Sequence, residues 1–164
     1  MKMRMVIIFC LCGWGRAYAQ SSAVKQDIIG TYTLVLVDNI KADGGRIHLC
    51  GDAPQGILML DRSGNYSLQI VSANRPRFAA GDKSKGTDEE NKLAVAGSNA
   101  HFGTYTIDGV KHTITFNIDH ASFPNWEGTK QVRPFEFDGA MLKYSVPAPT
   151  TGGAVTGEVS WRKE

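Results

Sequence analysis

The fold is decided by the stretch from His101 to Asp119, His-Phe-Gly-Thr-Tyr-Thr-Ile-Asp-Gly-Val-Lys-His-Thr-Ile-Thr-Phe-Asn-Ile-Asp. In its second half Ile114, Phe116 and Ile118 alternate with Thr113, Thr115, Asn117 and Asp119, the period of two that puts apolar side chains on one face of a strand. Asp108-Gly109 separates this run from His101–Ile107 and marks a hairpin. The same grammar recurs on either side. Upstream, Gly56–Asp61 and Tyr66–Val71 flank Arg62-Ser63-Gly64-Asn65, and Ile28–Val37 forms a first strand rich in Ile, Val, Thr and Tyr. Downstream, Lys130–Phe137 and Met141–Val146 flank Asp138-Gly139, and Glu158–Lys163 ends the chain.

These runs predict eight antiparallel strands, mostly joined by short turns, which suit an all-β, up-and-down barrel closed on itself without a free edge. A two-sheet sandwich satisfies the same alternation. An eight-stranded barrel has an interior either filled by side chains or able to hold one small ligand. The rhythm breaks at Ala73–Ala100, where Thr87 followed by Glu90 spells a capping box and predicts a short helix from Asp88 to about Ala96. That helix would lie across one mouth of the barrel or against its side; a solvated turn is the other reading of Glu89-Glu90.

The N-terminal residues read as an export signal. Lys2 and Arg4 precede the apolar run Val6–Cys12, and Ala17-Tyr18-Ala19 supplies a small-x-small cleavage pattern with Gln20 as the new first residue. A membrane span needs roughly 20 apolar residues, about twice this run. Phe9 and Leu11, before Cys10 and Cys12, argue against a lipoprotein anchor. The expected organisation is a signal peptide over 1–19 and one barrel domain over 20–164, placing the protein in the periplasm or outside the cell.

Trimming changes the charge. Three of the 18 basic residues (Lys2, Arg4, Arg16) lie in the signal, leaving 15 against 16 acidic ones, a balance of −1 where the precursor has +2. Such a domain lacks the basic field that holds phosphate backbones, so nucleic acid is excluded as the expected partner. With Cys10 and Cys12 removed, only Cys50 remains, and the fold stands without an internal disulfide. Asn65-Tyr66-Ser67 is a glycosylation sequon placed in a predicted turn.

Four stretches resemble the lipocalin-like domains found in bacterial and fungal proteins: Ile28-Ile29-Gly30-Thr31-Tyr32, Pro54–Met59, His101–Thr106, and Phe123-Pro124-Asn125-Trp126-Glu127-Gly128-Thr129-Lys130-Gln131-Val132-Arg133. The last is the most specific. The resemblance spans most of 27–164 and implies a calycin-type barrel without a defined reaction. Members of this family often carry a His-His pair before the proline loop, where this chain has Phe116-Asn117, so no metal or acid–base role is carried over. Gly30-x-Tyr32 is also similar to the Gly-x-Trp of lipocalins, where an arginine lies over the ring at the closed end. Arg162 is the expected counterpart, giving Gly30, Tyr32 and Arg162 a structural role.

The chemistry-bearing residues are sparse. His48-Leu49-Cys50-Gly51-Asp52 gathers three potential ligands without zinc-site spacing, so no metal is expected. Nothing matches a nucleophile elbow, a P-loop or a dinucleotide fingerprint, so no cofactor is expected either. Arg133 shares strand parity with Phe135 and Phe137. If the rings face inward the arginine is inside too, needing an anionic ligand or a carboxylate such as Asp119, Glu127 or Glu136; Pro134 could instead mark a bulge that turns it outward. Trp126 either lines the barrel mouth or fastens its loop. The candidate ligand-binding set is Arg133, Trp126, Phe135, Phe137, Tyr105 and Phe102. His101, His112 and His120 lie near strand ends, where surface positions are the ordinary reading; with Tyr105 they are the proton-transfer candidates of the second half.

Three functions follow from the barrel: a carrier of a small, largely apolar or amphipathic molecule, a cofactor-free isomerase or cyclase, or an interaction protein with a filled interior. The first processing expectation is direct. A precursor expressed in a bacterium yields an exported protein beginning at Gln20 by intact mass; a product retaining Met1–Ala19 refutes the signal reading.

Overall fold

The computed structural model describes residues 27–150 and 153–164, so the expected signal with Lys2, Arg4 and Ala17-Tyr18-Ala19 lies outside the described residues. The strands are β1 (Gly30–Ile40), β2 (Arg46–His48), β3 (Gln55–Leu60), β4 (Asn65–Val71), β5 (Ser98–Asp108), β6 (Thr113–Ala121), β7 (Lys130–Phe137), β8 (Met141–Pro147) and β9 (Thr156–Lys163). All neighbours pair antiparallel, and β1 also pairs with β9 from Tyr32↔Lys163 to Ile40↔Thr156. β1 and β3–β9 thus form a closed eight-stranded barrel, which settles barrel against sandwich.

The eight expected strands are the eight of the barrel; β2 is additional. Three residues carry no readable alternation. β2 exists because β3 reaches only as far as Thr33 along β1, leaving Asp38–Ile40 to pair with Arg46–His48. The buried Asp38 carboxylate fastens it, accepting from Arg46 Nη1 at 3.0 Å and meeting His48 Nδ1 at 2.7 Å.

The two ends of the barrel differ. At one end the hairpins β3–β4, β5–β6 and β7–β8 turn within a few residues. Each is opened by an aspartate accepting backbone N–H bonds: Asp61 from Asn65 at 2.7 Å, Asp108 from Lys111 at 2.9 Å, Asp138 from Met141 at 2.7 Å. Such side-chain bonds are how Asp stabilises a turn. At the other end the connections are long, and one carries α1 (Asp88–Ala96). Both capping-box bonds form, Glu90 N–H to Thr87 Oγ1 at 3.2 Å and Thr87 N–H to Glu90 Oε2 at 2.8 Å. α1 rests beside β5 and buries none of its own residues. Among the described residues no helix is long and apolar enough to cross a membrane.

Inward positions fill the closed half with Tyr32, Leu58, Leu60, Tyr105, Ile114, Leu142 and Trp161, all nearly or fully buried. Each large apolar side chain contributes about 1.5–3 kcal/mol on burial; among the described residues the cysteine, Cys50, is free.

The floor corrects one expectation. Arg162 does not cover Tyr32: Val159 and Trp161 face inward, so the alternation of β9 turns Arg162 out to solvent opposite Thr33. The Tyr32 hydroxyl instead donates to the Ile28 carbonyl. Lys163, one residue later, covers the floor: its stem passes Gly30, its ammonium donates to the Asp27 carbonyl and sits 5.6 Å from the Phe137 ring centroid.

β5 and β6 slip register between Phe102 and Gly103. There the backbones approach so closely that a Cβ on Gly103 would lie 2.1 Å from the Asn117 carbonyl oxygen. Backbone cannot swing aside as a side chain does, so Gly103→Ala is expected to cost about 3 kcal/mol in urea unfolding; a change under about 0.5 kcal/mol would show that this approach is not required.

Candidate functional site

Strand alternation continues inward in the open half but leaves space. The walls form a cavity of about 340 Å³ lined by residues of β1, β4, β5, β7, β8 and β9, with Trp126 and the Pro147–Thr150 segment at its rim. Its apolar surface comes from Val37, Leu68, Ile70, Val146 and Val159. A volume of this size is within the range of small-molecule pockets, about 300–1,000 Å³.

Arg133 is the main polar feature of that wall. Pro134 stays in register opposite Thr113 and does not turn the strand, so Arg133 points inward with Phe135. Only 7% of the residue is exposed. Its guanidinium carbon lies 5.2 Å from the Tyr144 ring centroid and 5.8 Å from that of Phe116, and Nη2 donates to the Gln131 amide oxygen. Among the described residues it makes no ion pair, and its buried Nε has no hydrogen-bond partner. Of the carboxylates considered for it, Glu127 sits 3.4 Å from His120, while Asp119 and Glu136 are exposed. Burial lowers the guanidinium's pKa from its ordinary value, and Tyr144 and Tyr66 act against that shift. An arginine nevertheless keeps its proton, so the wall carries a cation that makes no ion pair among the described residues; the Asp38 carboxylate of the same lining is bonded to Arg46 and His48. Lys130 adds a second positive group at the rim.

His101 is the residue that sequence reading underrated. It belongs to the inward parity of β5 with Gly103 and Tyr105, and only 3% of it is exposed. Its Nδ1 lies 2.7 Å from the Tyr66 hydroxyl, and its ring stands edge-on to Trp126 at 5.9 Å between centroids. Burial, and then the neighbouring Arg133, push its pKa down to about 3, so the imidazole is neutral at ordinary pH. The signal available was the same period of two that placed Tyr105 inside; proximity to the strand's start concealed it.

The remaining candidates separate. Arg133 and Trp126 face the cavity. Phe135 and Phe137 face inward but at the opposite end, beside His112 and Lys163. Tyr105 is also inside and low, its hydroxyl donating to the Asp61 carbonyl at 2.8 Å. Phe102 is a correction: next to inward His101 it must face out, where it is half exposed and lies 5.5 Å from the His120 ring. In the His48–Asp52 segment His48 is held by Asp38, and burial raises the pKa of the half-buried Cys50 thiol. Among the described residues no group of three or more His, Cys, Asp or Glu could hold a metal ion.

A family described as a lipocalin-like domain matches residues 29–164. The 4'-hydroxy-3'-methoxypropiophenone carrier protein of Aspergillus oryzae is 28% identical over 105 residues, covering 59% of this chain and 95% of that protein. Among solved structures, a redesigned β barrel superposes with a TM-score of 0.40 at 12% identity, covering 85% of this chain and 94% of that one.

The depressed pKa of His101 sets a pH dependence. The unfolded chain protonates this imidazole near 6.5 and the folded one near 3, so between those values the unfolded state binds the extra proton. The stability is present above about pH 6.5 and is lost as the pH falls toward 3. Going from pH 7 to 4, wild type is expected to lose about 3 kcal/mol more than His101→Phe in urea titrations; equal losses would place His101 in contact with solvent.

Proposed function

This chain belongs to the lipocalin-like domain family, and from that premise we propose that it is a carrier for a small, largely apolar molecule bearing an anionic or strongly accepting end. One observation carries the reading: a buried, uncompensated guanidinium, Arg133, on the wall of a cavity of about 340 Å³. A buried charge is costly unless something answers it, and an anion entering from the mouth answers it. Trp126 supplies an aromatic wall at the rim and the aliphatic lining takes the body of the ligand. The ligand after which the Aspergillus oryzae carrier is named, a hydroxylated aryl ketone, is of the size and polarity this reading requires. Export through the N-terminal segment belongs to the same proposal, supported by Lys2, Arg4 and the Ala17-Tyr18-Ala19 pattern.

A filled interior is disfavoured by the cavity itself. An isomerase or cyclase would require a base, and an imidazole held to about 3 is too weak to take a proton from carbon. Binding is therefore the reading preferred over turnover, and neither calls on a cofactor.

The test uses phenylpropanoate, an aromatic ring joined to a carboxylate. Wild type is expected to bind it with a change in Trp126 fluorescence that disappears in Trp126→Phe. Arg133→Met weakens binding at least about tenfold, the scale of one charge-assisted contact. It leaves the melting temperature unchanged or raised, because a thioether replaces an unpaired buried charge. Unfolding of Arg133→Met would instead make the arginine a structural element and remove it from the ligand site.

A further inference from the structure

Arg133 is not the only unsatisfied group in the cavity wall. Asn99, on β5 opposite Ile70 of β4, lines the same cavity, and its Oδ1 is buried without a hydrogen-bond partner. It has the inward parity of His101 and stands two residues nearer the mouth. The two unpaired atoms are of opposite sense: Arg133 Nε is a donor and Asn99 Oδ1 an acceptor. They also sit on different walls, β7 and β5, with β6 between them.

Leaving a buried polar atom unpaired costs free energy comparable to a lost hydrogen bond, about 1–3 kcal/mol, and native proteins leave few such atoms. Other polar atoms of this wall are already engaged. Tyr66 and His101 bond each other, Gln131 accepts from Arg133, and Asp38 is held by Arg46 and His48. Among the described residues, Asn99 Oδ1 and Arg133 Nε are the two buried side-chain atoms of the lining without a partner.

We propose that Asn99 is a specificity-determining residue that accepts a hydrogen bond from a hydroxyl on the ligand, so that the cavity selects small aromatic molecules with an anionic or accepting group for Arg133 and a hydroxyl donor for Asn99. This rests on the carrier reading and adds the second recognition point. A site built to bond a hydroxyl rejects the analogue lacking it more strongly than an apolar pocket rejects an added one. An anion alone leaves Asn99 unpaired; a hydroxylated anion satisfies both ends.

The experiment compares phenylpropanoate with the tighter-binding of its meta- and para-hydroxy derivatives by calorimetry, in wild type and in Asn99→Leu, which keeps the branched shape of the side chain and removes its polar atoms. In wild type the hydroxylated compound binds about tenfold tighter, the fold-change equivalent to about 1.4 kcal/mol. Asn99→Leu removes that preference by weakening the hydroxylated compound, while affinity for phenylpropanoate changes less than about threefold. Equal affinities in wild type overturn the role of Asn99 and leave the carrier reading standing, and this comparison needs no variant. Equal weakening of both compounds by Asn99→Leu also overturns it, since the amide would then be supporting the wall. Failure of wild type to bind either compound overturns the carrier reading and this inference together.

Discussion

The ladder between β1 and β9 joins the first strand to the last, and the other features of the molecule follow from it. Without that pairing the sheet has two free edges and a flat inner face; with it, the inner face becomes a lumen and its side chains meet across a shared axis. Closure requires β1 to bend. The ladder carries a register shift between Leu34 and Leu36, an irregularity of the kind that bends a strand, with Val35 exposed there. The same strand then runs past the end of β3, and its surplus length is what β2 covers. One strand thus closes the barrel, forms part of the cavity wall through Val37–Asn39 and carries the carboxylate that pins the rim.

Inside, two populations of side chain divide the lumen. Aromatic and aliphatic residues fill the half nearest the tight turns, while Arg133, His101, Tyr144 and Asn99 join aliphatic residues in lining the half beneath the long connections. Polarity is tolerated there because each ring serves two purposes. Tyr144 and Phe116 offer their faces to the guanidinium, an attraction of about 0.5–2 kcal/mol. Tyr66 bonds His101 and keeps the imidazole oriented. These contacts soften the isolation of the charge without neutralising it, so the electric field of Arg133 remains available to what enters. His101 owes its low proton affinity first to burial and then to that neighbouring charge.

Much of this architecture was legible in alternation. Tyr66, Leu68 and Ile70, or Ile114, Phe116 and Ile118, read as inward faces and are so. Thr87 and Glu90 announce the helix start because capping is a local interaction, settled within four residues. Barrel closure was inferred from strand count, since no single residue encodes the meeting of β1 with β9. The site was less legible for two reasons. Parity fixes the face of a strand but not the height along the barrel, so Phe135 and Phe137 were grouped with Arg133 although they lie at the far end. A one-position shift in parity moves a residue through the wall: Phe102 and Arg162 face out while their neighbours His101 and Trp161 face in. Asn99 lies in the stretch where the helical insertion rejoins β5, and its local sequence carries no alternation strong enough to assign a face.

Both ends of the described barrel chain lie on its floor. Lys163 reaches the Asp27 carbonyl, and the Glu164 amide donates to Thr31 at 2.9 Å, so the first and last strands begin and end side by side among the tight hairpins. The mouth is a strand's length away. A fusion partner, a surface tether or an affinity handle joined directly before Asp27 or after Glu164 therefore leaves from the sealed face and holds the opening toward the surrounding medium. For immobilising this barrel as a capture reagent, orientation is already supplied by the chain itself.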